Sequence, residues 1–92
     1  MRLTVEFFGL LRQLTGVNES QLEFEGSVDL HGVVEELGRR FPRLIDEGVI
    51  LQDRELSPSF VFSINGRIVA QNLNARVADN DSLLLISAIW GG

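Results

Sequence analysis

In residues 27–42, SVDLHGVVEELGRRFP, apolar side chains recur at Leu30, Val33, Val34, Leu37 and Phe41, which is one stripe of an amphipathic α-helix. The other sustained apolar runs of the chain alternate with period two, the pattern of strands covered on one face. This imbalance constrains the fold strongly. One helix with one apolar stripe cannot bury itself, and Gly32 and Gly38 each cost it up to about 1 kcal/mol relative to alanine. It needs a sheet beneath it. The expected helix spans Ser27 to Phe41, with Ser27 as N-cap, Asp29 near the positive end of the dipole, Arg39 and Arg40 near the negative end, and Pro42 as the stop.

The strands that could form this sheet are legible. In LTVEFF, residues 3–8, Leu3, Val5 and Phe7 share one face and Thr4, Glu6 and Phe8 the other. SQLEFE, residues 20–25, points Leu22 and Phe24 inward, and the two strands are expected to pair as an antiparallel hairpin around LLRQLT, a connection of about one helical turn. Residues 43–59 keep no period beyond a helical turn at 43–47. FVFSI places Phe60, Phe62 and Ile64 inward, and Asn65-Gly66 signals a tight turn into a short strand at 67–70. In SLLLISA, residues 82–88, Leu83 and Leu85 face the core. The order strand, strand, helix, strand, short strand, strand predicts one α+β domain over 1–88, a mixed sheet of four to five strands covered on one face by one main helix. Phe8, Val61, Leu84 and Ile86 are then expected on the opposite face, although a sheet with one free face usually makes it polar.

Composition closes off several functions. An apolar content of 45% with 23% charged residues is that of a globular chain, away from the disordered regime. The net charge of −5 excludes nucleic acid and anionic membrane as expected partners and favours a partner with a basic docking face. No apolar segment approaches a membrane span, and a cytoplasmic protein is expected. There is no cysteine, hence no disulfide, thiolate metal site or cysteine nucleophile. All eight basic residues are arginines, so the N-terminus is the one primary amine.

No catalytic constellation can be assembled. His31 reads as a solvated flank residue without a placed partner, and Glu35-Glu36, Asp46-Glu47 and Asp79/Asp81 read as solvated faces and turn chemistry. Asp79-Asn80-Asp81 lacks the glycine and distal glutamate of a calcium loop. Neither a phosphate-binding glycine loop nor a nucleophile elbow is present. The expectation is a non-catalytic protein that binds no cofactor or metal of its own.

The sequence finishes SAIWGG. At an average glycine usage of about 7%, two glycines in the last two positions arise by chance in roughly 0.5% of chains, so the pair matters only with the body that precedes it. Residues 89–92 are expected to form a flexible tail reaching about 13 Å beyond the last strand. Without a Cβ, Gly91 and Gly92 can enter a channel too narrow for side chains. A carboxylate of reference pKa about 3.5 is ionised and a poor electrophile, so a partner must activate it, as an acyl-adenylate formed with ATP. Sulfur could then give a C-terminal thiocarboxylate, or an amine an amide.

FFGLLRQLTG, the helix from Ser27 to Phe41, INGRIV, DNDSLLLI and the terminal GG, in that order, resemble the ubiquitin-like sulfur carriers of MoaD/ThiS type, above all the small subunit of molybdopterin synthase. The closely similar archaeal small modifier proteins match almost as well. The resemblance implies a β-grasp fold and a carrier role in which Gly92 bears the adenylate and then the thiocarboxylate, while Gly91 threads with it into a partner's active site. It further implies an adenylating enzyme of the ubiquitin-activating type and the large subunit of molybdopterin synthase as partners. Phe8 and Ile86 match an apolar docking face, which Ala88 and Trp90 would extend, and Arg12 matches an arginine frequent in the first loop. The chain departs from the family pattern at Asn80, where glycine is common, and at Trp90, where a small residue commonly precedes the two glycines. A modifier joined through Gly92 to lysines of target proteins, and a plain β-grasp interaction domain, are the alternative readings.

Overall fold

The computed structural model describes residues 1–69 and 72–88. In chain order the elements are β1 (Arg2–Phe7), α1 (Leu10–Thr15), β2 (Glu19–Glu23), β3 (Val28–Asp29), α2 (Leu30–Arg40), α3 (Arg43–Asp46), β4 (Phe60–Ile64), β5 (Arg67–Ile68), β6 (Arg76–Val77) and β7 (Ser82–Ser87). The main sheet has the order β2-β1-β7-β4-β5. Its two central strands, β1 and β7, run parallel, while the β1–β2, β4–β7 and β4–β5 pairs are antiparallel. With α2 packed across one face this is a ubiquitin-like β-grasp fold, as the alternation of residues predicts.

The core follows from the two periodicities. Leu30, Val33, Val34 and Leu37 of α2 are fully buried, as are Leu3, Val5 and Phe7 of β1, Phe62 of β4 and Leu83 and Leu85 of β7. Each such side chain contributes roughly 1.5–3 kcal/mol by leaving water. Phe41, just past the end of α2, meets Phe7 edge to face with ring centroids 5.7 Å apart. Arg40 ties the helix to the sheet by donating to the Gln21 carbonyl at 3.0 Å.

The helix start differs from expectation. Asp29, not Ser27, is the N-cap, and its carboxylate accepts from the Gly32 N–H at 3.2 Å. The cause is long-range: β3 pairs antiparallel with β6, holding Val28 and Asp29 extended and delaying the helix to Leu30. Ser27 instead accepts from Arg76 at 3.0 Å. The N–H groups of Leu30 and His31, which have no partner within the helix, donate to the carbonyls of Ala75 and Leu73.

The long connection after α2 contributes more to the interior than its irregular sequence suggests. Leu44 of α3, with Val49, Ile50 and Leu56, is buried, and Ile50 and Leu56 form an isolated antiparallel bridge. The Asn65-Gly66 turn behaves as predicted, with φ of 51° and 87°, the left-handed pair of a tight hairpin. At Asp79-Asn80-Asp81 the carboxylates are occupied by protein donors. Asp79 accepts from the Arg2 N–H at 2.7 Å, and Asp81 from the Ala78 N–H at 2.7 Å and the Asn65 amide at 2.8 Å. Asn80 adopts φ 68°, a conformation asparagine tolerates, and so does what a glycine would do there.

Candidate functional site

The face of the sheet away from α2 carries the residues expected on it. Glu6 pairs in register with Leu84, Val61 with Ile86, and Ser63 with both Leu84 and Ile68. Leu84 and Ile86 are half-buried and Ile68 is exposed. Val61 lies on this face as expected but is buried there, only 7% exposed, with Ile86 as its cross-strand neighbour. Phe8 lies one residue beyond the end of β1, not within a strand, and is 49% exposed.

Phe8 and Ile86 come together at one end of this face. They line an apolar groove of about 480 Å³ with Leu10, Leu11, Phe60 and Ser87. Local chemistry explains the groove. Gly9, at φ 54° and ψ −126°, turns the chain sharply from β1 into α1. In a helix this short only one of two adjacent leucines can face inward, so Leu11 is buried and Leu10 is left 60% exposed. Arg12 fixes the rim: its Nε donates to the Phe7 carbonyl at 2.8 Å, and its guanidinium carbon stands 5.1 Å from the centroid of the Phe8 ring. Leu10 and Phe60 were not singled out by sequence reasoning. The signal for Leu10 was available in the doubled leucine after Gly9.

The groove sits where the last strand ends. Ser87 is the final residue of β7, and beyond it the Ala88 N–H donates to the Ser59 carbonyl at 2.7 Å. Ala88 is half-buried. Trp90, Gly91 and Gly92 lie outside the described residues.

The other candidate places offer less. A larger depression of about 610 Å³ near Met1 contains Arg2, Glu23 and Asp79, whose polar groups already satisfy one another, including an Arg2–Glu23 ion pair of 2.8 Å. That pairing holds the Glu23 carboxyl below its ordinary value. His31 is partly exposed between Glu55, 3.3 Å from its Nε2, and Asp29, 3.8 Å from its Nδ1. Among the described residues no group of three or more histidine, aspartate or glutamate side chains could hold a metal ion, and no helix is long and apolar enough to cross a membrane.

Comparison with known proteins agrees with this geometry. The model of the ThiS family matches residues 5–92. The fold superposes on the crystal structure of SAMP1 from Haloferax volcanii with a TM-score of 0.84 at 23% identity, covering 100% of both chains. A protein from Pyrococcus furiosus described as a molybdopterin converting factor, subunit 1, gives 0.76 at 23% identity over 96% of this chain and 98% of that one. Urm1 from Trypanosoma brucei gives 0.74 at 22% identity over 99% of this chain and 95% of that one. No curated protein matches the chain. With its β-grasp body, its apolar groove at the end of β7 and a family match over nearly all its length, the chain belongs to the ThiS family of small ubiquitin-like proteins.

Proposed function

We propose that the chain is a sulfur carrier whose reactive group is the carboxylate of Gly92. The observation that carries this reading is the meeting of Phe8 and Ile86 in one apolar groove at the end of the strand that leads into IWGG. A partner docked on that groove receives the following residues at its own active site. The chain supplies a carboxylate without side chains around it, and the partner supplies the chemistry. A carboxylate oxygen attacks the α-phosphorus of ATP and pyrophosphate leaves. Sulfide then adds at the activated carbonyl, AMP departs, and Gly92 carries a thiocarboxylate.

The first partner is therefore an adenylating enzyme. The second is a sulfur acceptor, and the resemblance to the small subunit of molybdopterin synthase favours its large subunit, with sulfur passing to a pterin precursor. The fold shared with a molybdopterin converting factor subunit supports this assignment. No cofactor is bound by the carrier itself, and ATP is consumed by its activating partner.

A second reading is favoured by one observation each from sequence and fold. The chain has no lysine, so a conjugate could not be extended through an internal lysine. Two other structures of the same fold, from Haloferax volcanii and Methanosarcina acetivorans, are named small archaeal modifier protein 1. In that reading the activated Gly92 is joined to lysines of target proteins.

Intact-mass measurement after incubation with ATP, sulfide and the adenylating enzyme of the same cell separates these readings. A carrier gains about 16 Da at Gly92, oxygen being replaced by sulfur. A modifier appears on other proteins as added mass, and absence of both products with an enzyme active on a control carrier would refute the proposal.

A further inference from the structure

Met1 and Phe24 exchange both of their main-chain hydrogen bonds, each 2.8 Å long. Hydrogen-bonded and non-hydrogen-bonded pairs alternate along an antiparallel ladder. The pairs Arg2↔Glu23, Thr4↔Gln21 and Glu6↔Glu19 therefore occupy non-hydrogen-bonded sites, where Cα atoms approach to about 4.5 Å and side chains are closest. At the first of these sites the sequence places opposite charges, and they form an ion pair of 2.8 Å. At the last it places two carboxylates.

Directly opposed like charges destabilise a sheet. Among the described residues neither Glu6 nor Glu19 has an arginine partner within ion-pair distance, whereas Glu23 and Glu36 do. Both lie on the face away from α2, and Glu6 is in register with Leu84 of β7. The two carboxylates thus border the apolar strip of Leu84, Ile86 and Val61. Folding gains nothing from this arrangement, whereas a docked surface of the right charge would.

We propose that Glu6 and Glu19 together receive an arginine or lysine of the partner protein, whose neighbouring apolar side chains cover Leu84 and Ile86. This rests on the docking reading above and adds to it the charge that orients the partner. A second copy of this chain is a poor occupant, since face-to-face pairing would set carboxylates against carboxylates. The net charge of −5 works in the same sense, steering a basic surface toward the sheet.

The test titrates the full chain against the adenylating enzyme of the same cell at about 0.05 M and 0.3 M salt, a range over which the screening length falls from about 14 Å to about 6 Å. Wild type, the double variant Glu6→Gln/Glu19→Gln, and Ile86→Asp are compared, and urea unfolding is recorded for each. The double variant is expected to bind roughly tenfold more weakly at low salt, with a flattened salt dependence. Its urea midpoint should be equal to or above that of wild type, because repulsion has been removed. Unchanged affinity and salt dependence would overturn the proposal, as would a lowered midpoint, which would give the pair a structural role. If Ile86→Asp weakens binding while the double variant does not, the docking reading stands and this inference falls. If wild type does not bind, both fall.

Discussion

Gly32 and Gly38 lie in the same helix, and alanine at each should shift stability in opposite directions. Both substitutions recover the helix propensity that glycine forfeits, about 1 kcal/mol. At Gly38 an added Cβ would stand 3.2 Å from the Ile45 Cδ1, 3.6 Å from its Cγ1 and 3.7 Å from the Ile50 Cδ1. The tightest neighbour is the end of a flexible side chain that must move a few tenths of an ångström. The expected net effect of Gly38→Ala is a gain of about 0.5 kcal/mol. At Gly32 the Cβ would overlap the Cγ2 of Val28 outright. Val28 is β-branched, stiff at χ1, and its backbone is held by pairing with Val77. Overpacking of this kind costs about 1–3 kcal/mol, so Gly32→Ala should lose about 1 kcal/mol overall. Urea unfolding followed by far-ultraviolet circular dichroism reads both. With a slope near 1 kcal/mol per molar, the midpoints should move about 0.5 M up and about 1 M down. Shifts of the same sign in both variants would refute the claim that Val28 dictates glycine at position 32.

Two further outcomes follow from the hydrogen bonds. Arg39 and Arg40 hold the Glu36 carboxyl at a pKa of about 2 against an ordinary 4.5, through bonds of 2.6 and 2.9 Å. A pKa depressed in the folded state stabilises above the unfolded value, and that contribution disappears as pH falls from 4.5 toward 2. Unscreened, the depression would be worth roughly 3 kcal/mol, but Arg39 is 71% exposed and water screens it, so about 1 kcal/mol is expected. Glu36→Gln should therefore lower stability at neutral pH and leave it unchanged near pH 2, and a pH-independent difference in urea midpoint would contradict this. Asn65 accepts from the Ser82 N–H at 2.9 Å and donates to Asp81 at 2.8 Å while holding φ 51°. Asn65→Ala should cost about 2 kcal/mol in thermal or urea unfolding, and a loss below about 0.5 kcal/mol would show that these bonds do not anchor the turn.

The elements that were legible in the sequence are those whose signals are local. The stripe of α2, the alternation of β1, β4 and β7, and the Asn65-Gly66 turn each lie within a few residues of their cause. The N-cap was misplaced because SVD offers two competent caps, and only the pairing of β3 with a strand some fifty residues later, a contact absent from local pattern, selects Asp29 over Ser27. The short β6 was missed for the same reason: Arg76-Val77 carries no strand signal of its own. At the groove, Phe8, Val61, Leu84 and Ile86 stood out because apolar residues on the outer face contradict the ordinary polar pattern, and the family resemblance singled out Phe8 and Ile86 among them. Phe60 was assigned wholly to the interior, although it also lines the groove, since period two cannot tell a core position from one at the core's edge. Glu6 and Glu19 look unremarkable until register places them opposite one another.

The position of β7 between β1 and β4 has a mechanical consequence. A pull applied along the chain at Ala88 does not peel this strand from an edge. It loads the hydrogen bonds to both neighbours together, in shear, and the strand can slide only if both ladders fail at once. Resistance to force is a matter of rate rather than of equilibrium stability. Tension applied at Ala88 is therefore resisted whatever the equilibrium stability of the domain, because force arriving along that line meets the sheet in its strongest direction.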